Sequence, residues 1–317
     1  MATVLAIANQ KGGVGKTTTA IHLAAAFAVA GQRTLLIDLD SQANATFGLG
    51  VDEATDDTPG IYAALAGQPV AADWCRRTSV VGLEILPASL ELAGLDIELA
   101  QDRDAPARLR RVIERLAPSF DWIVIDTPPS LGAAPVSALG VADLVLTPLP
   151  PERFAVEGLR RLEHTMARLR RAGRITAPDP LILFTRVQPW LEAHVSLVSQ
   201  LRAELGERAL VASVPFSASM EEATEHRLPA FLDRAGGAAG NAYLYAAAEV
   251  MLLRQERIPS PREIEVQVQR MQATIEDRLP APARSRRPVQ PGGAFGPAVA
   301  NTPASWLSRL FRRREPV

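Results

Sequence analysis

An apolar run at 3–8 passes into Asn9-Gln10-Lys11-Gly12-Gly13-Val14-Gly15-Lys16-Thr17-Thr18, and a helical pattern follows at once over 17–30. This order of strand, glycine-rich turn and helix admits few folds. Three glycines let the backbone wrap closely around an anion at the amino end of a helix, where unpaired N–H groups gather. Lys16 is placed to carry charge to the β- and γ-phosphates of a nucleotide, and the Thr17 hydroxyl to ligate Mg2+. Gly12, Gly13, Val14, Gly15 and Thr18 complete the expected cradle. The strict GxxxxGK[ST] pattern asks for glycine at position 10, where this chain has Gln10. The strand and helix around the loop outweigh that departure.

Beyond the loop, β-rich apolar runs alternate with longer helical stretches, the pattern of a parallel sheet covered by crossover helices. The expected strands are 3–8, 34–38, 83–87, 122–126, 144–148, 181–185 and 210–214. The expected helices are 17–30, 90–102, 105–117, 133–140, 155–172, 191–205 and 238–256. No internal repeat appears, so residues 1–257 read as one α/β domain, a doubly wound, mostly parallel sheet with helices on both faces. A further helix at 261–279, within a segment 258–279, is expected on the edge of that domain.

The 317 residues carry a net charge of −1, but residues 280–317 hold seven arginines and one acidic residue, a local +6 against −7 for the rest. Residues 280–302, dense in Pro, Gly and Ala, read as a disordered linker. Residues 303–317 read as a short basic amphipathic helix, with Trp306, Leu307, Leu310 and Phe311 on one side and Arg309, Arg312 and Arg313 flanking them. A single cysteine, Cys75, rules out an internal disulfide framework and reads as a buried small residue. His22 reads as a packing residue, and His164, His194 and His226 have no metal-ligand spacing. The opening residues lack a signal-peptide pattern and the longest apolar run, 23–30, is far too short to span a bilayer, so a cytoplasmic location is expected.

Lysine usage singles out the loop by a separate route. The chain has 32 arginines and two lysines, Lys11 and Lys16, both inside it. Arginine cannot replace a compact ammonium in a tight phosphate cradle, so both lysines look chemically required. The glycine-rich loop explains Lys16 but not Lys11. Lys11-Gly-Gly-Val-Gly-Lys-Thr-Thr18 resembles the deviant Walker A motif of the ParA/MinD family of dimerising ATPases. That resemblance implies that Lys11 reaches across a nucleotide-sandwich homodimer to the partner's phosphates, with ATP and Mg2+ as cofactors.

Two further segments carry the likeness. Leu35-Leu-Ile-Asp38-Leu-Asp40-Ser-Gln-Ala-Asn-Ala-Thr46 places two carboxylates beyond a buried strand, where a carboxylate can orient an attacking water or act on the Mg2+ shell. It is similar to the ParA form DLDPQGNAT and unlike the MinD form. By that match Asp40 is the catalytic carboxylate and Asp38 its neighbour. Trp122-Ile-Val-Ile-Asp126 delivers an acid at the carboxyl end of an apolar strand, suited to hold Mg2+ through water. The following Thr-Pro128-Pro129-Ser-Leu-Gly132 matches the family form D-x-P-P-S-L-G and suggests a stiff γ-phosphate sensor.

Leu149-Pro-Pro-Glu152-Arg-Phe-Ala-Val-Glu-Gly-Leu159 is similar to the family's segment leading into a long helix. Val214-Pro215-Phe216-Ser217 resembles its adenine-side segment, which carries Pro215 and Ser217 over as base contacts. Phe216 stands where relatives have an arginine used near DNA. The likeness covers about residues 3–256. ATP is favoured over GTP because a guanine-reading N-K-x-D motif needs a lysine the chain does not have outside the loop.

The arginine-rich helix at 155–172 offers Arg160, Arg161, Arg168 and Arg171 as a stripe for DNA phosphates, with a solvated face as the alternative. The family places such contacts nearer its C-terminal helices, where Arg186 and Arg202 are the candidates. The resemblance implies sequence-independent DNA binding by the ATP dimer, and release on hydrolysis stimulated by a cargo-bound ParB-like adaptor. The tail resembles the membrane-targeting helix of MinD. Contact with an anionic membrane through Trp306, Leu307, Leu310 and Phe311 therefore stands beside a partner groove or DNA as its expected use. The rival readings are a MinD-like membrane-cycling regulator, a metabolic P-loop enzyme, and a nucleotide switch with little hydrolysis.

Overall fold

The computed structural model describes residues 1–94, 105–130, 132–233, 237–254 and 258–278. Along the chain run β1 (Thr3–Ile7), α1 (Lys16–Val29), β2 (Thr34–Asp38), α2 (Asn44–Gly48), α3 (Ile61–Leu65), β3 (Arg76–Arg77) and β4 (Leu83–Leu86). Then come α4 (Ala105–Leu116), β5 (Trp122–Asp126), α5 (Ala133–Val141), β6 (Leu144–Leu149), α6 (Arg153–Arg171) and β7 (Leu181–Val187). The chain continues through α7 (Glu192–Leu205), β8 (Ala209–Pro215), α8 (Ser219–Glu225), α9 (Gly237–Leu253) and α10 (Pro261–Arg278).

The strands form one eight-stranded sheet in the order β3-β4-β2-β5-β1-β6-β7-β8. Only the two-residue β3 runs antiparallel to its neighbour. β2 and β5 are buried at every position, as their unbroken apolar sequences require for strands covered on both faces. β1 lies between β5 and β6, and the strand order departs in opposite directions from it. The carboxyl end of β1 is therefore the topological switch point, where open α/β sheets bind their ligands.

One core layer packs α1, α9 and α10 on the sheet. The alanine-rich α1 lies close against it with Leu23, Phe27 and five alanines buried, and Phe27 stacks on Trp122 at 4.3 Å between centroids. The other layer holds α4, α5 and α6, through Leu109, Val112, Leu139, Leu162 and Met166. The expected edge helix becomes α10, whose Ile264, Val268, Met271 and Ile275 enter the same core cluster as α1 and α9.

The expected strands all form, with β6, β7 and β8 each running one or two residues longer than the sequence pattern indicated. The short elements α2, α3, α8 and β3 were not anticipated. The expected helix at 90–102 falls mostly on residues 95–104, outside the described residues, as do the linker at 280–302 and the tail at 303–317 with Trp306, Leu307, Leu310 and Phe311. Among the described residues no helix is long and apolar enough to cross a membrane.

Candidate functional site

The glycine-rich loop leaves β1 at the switch point and enters α1. Gly13 and Gly15 take φ of 72° and 92°, and Gly15 is the left-handed residue preceding the first turn of α1. A Cβ at either position would meet nothing within 4 Å, so both are needed for their backbone conformation and not for space. The loop's outer side is pinned from neighbouring strands. Asn9 donates to the Pro148 carbonyl and accepts from the Lys11 N–H, and the Thr185 hydroxyl donates to the Val14 carbonyl at 2.9 Å. Lys16 Nζ donates to the Lys11 carbonyl at 3.2 Å and is buried; burial lowers its pKa, opposed by Asp126 and Asp40.

Three carboxylates converge beneath the loop. Asp38 and Asp126 are register partners at the ends of β2 and β5. Asp38 Oδ2 accepts from the Thr46 N–H and hydroxyl, and its Oδ1 accepts from the Asp40 N–H. Burial nonetheless raises its pKa to about 6, against those hydrogen bonds. Asp40 accepts from the Gln42 N–H, which fixes the turn that aims it. Asp126 is fully buried and neither of its oxygens has a hydrogen-bond partner among the described residues. Burial first, then the Asp38 charge, push its pKa well above the usual carboxylate range, with the Thr17 hydroxyl, close by but outside hydrogen-bond geometry, and then Lys16 pulling it back. A buried carboxylate left unpaired costs several kcal/mol, roughly, unless a cation and its waters complete it. Asp126 and the Thr17 hydroxyl thus fit a hard divalent ion of the Mg2+ kind.

The structure brings Lys11, Lys16, Asp38, Asp40 and Asp126 to one end of the sheet. Pro129 joins them, its Cβ lying 4.0 Å from where a side chain on Gly12 would begin. Lys11 Nζ is paired with Glu152 Oε2 at 2.6 Å, both side chains being partly exposed. Lys11, followed by Arg186 and His194, holds the Glu152 carboxylate below its ordinary range. Pro215 ends β8 beside Val187, and the Ser217 hydroxyl bonds that of Ser219 at 2.7 Å.

The arginines divide into two groups. Arg160, Arg161, Arg168 and Arg171 are exposed on α6, and Arg160 and Arg161 line a cavity of about 440 Å3 with Gln10, Glu157, His164 and Thr165. Arg202 is half-buried instead. Its guanidinium donates to the Val211 carbonyl and the Ser213 hydroxyl, both at 2.8 Å, and lies over the Phe184 ring, which makes it part of the packing of β7, β8 and α7. Arg186 reaches the loop itself, donating to the Gly13 carbonyl at 3.1 Å. Glu152 and Thr185 had no role in the sequence reading. Glu152 was visible only as part of the Pro-Pro-Glu segment, and Thr185 as the last residue of an expected strand.

The family model described as an AAA domain matches residues 2–176. The chain is similar to the sporulation initiation inhibitor protein Soj of Bacillus subtilis, 34% identical over 250 residues, covering 79% of this chain and 98% of that one. It is 37% identical over 256 residues to the chromosome partitioning protein ParA of Caulobacter vibrioides, covering 80% and 96%. Among solved structures, apo McdA from Cyanthece superposes with a TM-score of 0.71 at 23% identity, over 79% of this chain and all of that one, and shares the fold. Cobyrinic acid a,c-diamide synthase from Mycobacterium smegmatis with bound ADP and magnesium gives 0.67 at 30% identity, over 82% and 99%. With both lysines, the three aspartates and the Pro-Pro loop gathered at the switch point, the chain belongs to the ParA/Soj family of partition ATPases, as an ATPase that uses ATP and Mg2+.

Proposed function

We propose that this ATPase dimerises on ATP, holds DNA without sequence preference as a dimer, and releases it after hydrolysis stimulated by a cargo-bound ParB-like adaptor. The cycle would segregate or position a chromosome, plasmid or protein assembly, in the cytoplasm and on the nucleoid. The observation that carries the reading is Lys11. It is one of only two lysines in 317 residues, and its partly exposed ammonium is engaged by Glu152 at the rim of the site. A lysine retained there in an otherwise arginine-only chain is suited to a second molecule's phosphates.

Within one subunit Lys16 and the loop N–H groups would bind the phosphates, Thr17 and Asp126 would hold Mg2+, and Asp40 would orient the attacking water. The ion supplies charge neutralisation at the transferring phosphate when bound. The names of the relatives support a partition role, and the exposed arginines of α6 supply a charged face for phosphates.

The test is DNA binding with ATP, ADP and no nucleotide, at two salt concentrations, for the wild type and Lys16→Ala. ATP-dependent, salt-sensitive and sequence-independent binding that Lys16→Ala abolishes is the expected result. DNA binding in no nucleotide state would overturn it. The sequence of the tail favours one other reading, a membrane-cycling regulator of the MinD kind. Removing residues 303–317 separates the two: loss of binding to anionic liposomes with DNA binding intact makes the tail an accessory of a DNA-based system.

A further inference from the structure

Among the described residues three non-glycines take positive φ: Ala43, Arg186 and Arg227. An arginine in the left-handed region is held there against its own preference, and such strain persists where the surroundings over-determine it. At Arg186 (φ 53°) the surroundings are those of the nucleotide loop. The bend at the end of β7 turns the side chain back so that Nη1 donates to the Gly13 carbonyl at 3.1 Å. The guanidinium also lies 5.9 Å from the centre of the Phe216 ring. Phe216 is itself fixed by donating its N–H to the Val187 carbonyl at 2.9 Å.

The bond to Gly13 falls on a peptide unit that matters. A carbonyl and the N–H of the next residue belong to one amide, so a cation on the Gly13 carbonyl polarises the Val14 N–H and makes it a stronger donor. The preceding residue of the same strand acts on the next amide, since the Thr185 hydroxyl on the Val14 carbonyl polarises the Gly15 N–H. Two consecutive residues of β7 thus grip two consecutive carbonyls of the loop from outside. Their reverse sides are the donors that a phosphate cradle needs.

We propose that Arg186 is a positioning residue for ATP binding and hydrolysis, a cationic brace on the Gly13–Val14 amide backed by Phe216, and not a DNA contact. This inference rests on the ATPase activity, and the DNA arm of its test rests also on the proposed DNA binding.

The test uses the full chain and two variants. Arg186→Gly removes the strain and the brace together, while Arg186→Met keeps the strained conformation and a stem over Phe216 without the donors. Without nucleotide, Arg186→Gly is expected to melt no lower than the wild type and up to about 2 °C higher. Both variants should bind a non-hydrolysable ATP analogue with Mg2+ about three- to tenfold more weakly at fixed protein concentration, because the polarised Val14 N–H gains more against a phosphate than against water. Turnover should fall with affinity, while binding to mixed-sequence duplex DNA at saturating analogue should be retained.

Analogue affinity within twofold of wild type in Arg186→Met would overturn the proposal. Lost DNA binding with untouched analogue affinity would do the same, by making Arg186 a DNA contact. So would a lowered melting temperature in Arg186→Gly alongside weaker nucleotide binding, because the residue would then be serving the fold.

Discussion

His22 shows how far a single side chain in α1 is committed. Its Nδ1 lies 2.7 Å from the Thr18 carbonyl and its Nε2 accepts the Ala230 N–H at 2.8 Å, so it is neutral with the proton on Nδ1. The ring stacks on Tyr243 at 4.5 Å, and burial lowers its pKa to about 4. A histidine depressed in the folded state takes up its proton first in the unfolded chain, so its contribution is complete above about pH 6.5 and is lost as pH falls toward 4. That contribution is on the order of 3 kcal/mol. Asp38 and Asp126, raised by burial, oppose this slope, so the comparison must be with a variant. The difference in urea midpoint between wild type and His22→Gln should narrow from pH 7 to pH 4.5; a constant gap would show that His22 does not titrate with unfolding. Glu152→Ala gives a second prediction at this scale. The Lys11–Glu152 pair is half-exposed, and such pairs contribute at most about 1 kcal/mol. Melting should barely move, while ATP-dependent dimers, followed by light scattering, should form at a protein concentration lower by up to about thirtyfold, since each of the two subunits frees one Lys11. An unchanged dimerisation curve would show that Glu152 does not hold Lys11 back.

At the scale of elements, β8 is an open edge of the sheet, and the chain closes it with charge on both sides of one residue. Glu249 of α9 accepts the N–H groups of Val211 and Ala212 at 2.8 and 3.1 Å, while Arg202 of α7 donates to the Val211 carbonyl. An edge strand with its polar groups already taken is a poor template for another strand. Replacing Glu249 with Leu strands two backbone donors and should cost about 2–4 kcal/mol in urea unfolding. A loss below about 1 kcal/mol would mean that water replaces the carboxylate. Much of this layer was legible beforehand. The central strands are apolar runs bounded by turn residues, and the loop lies between two of the clearest elements, so the local sequence already puts Lys16, Asp40 and Asp126 at one end of the sheet, while the role of Asp40 comes from the family resemblance. α2 and β3 are five and two residues long, too short for any period to show. Glu152, Thr185 and Arg186 come from the carboxyl ends of β6 and β7, more than 130 residues from the loop that they hold. Only the parallel register of the sheet brings them there, and no spacing along the chain encodes it.

For the whole molecule, the proposed dimer makes a thermodynamic demand. If ATP favours dimer over monomer by a factor of about 100, roughly 2.7 kcal/mol, the dimer must favour ATP equally. Apparent ATP affinity should therefore rise with protein concentration, checked by equilibrium titration across the dimerisation range. A concentration-independent affinity would contradict a role for Lys11 in a second subunit's site. The two lysines also differ in one respect that a chemist can use. Lys16 is buried inside the cradle, whereas the Lys11 side chain is about one-third exposed. Apart from the α-amine of the chain, Lys11 is then the one amine that an acylating reagent can reach. A mass increment placed on Lys11 by fragmentation, and so told apart from the α-amine of the same peptide, would report whether that lysine faces solvent or has been taken into a partner, so the arginine-only remainder of the chain leaves the site carrying its own chemical label.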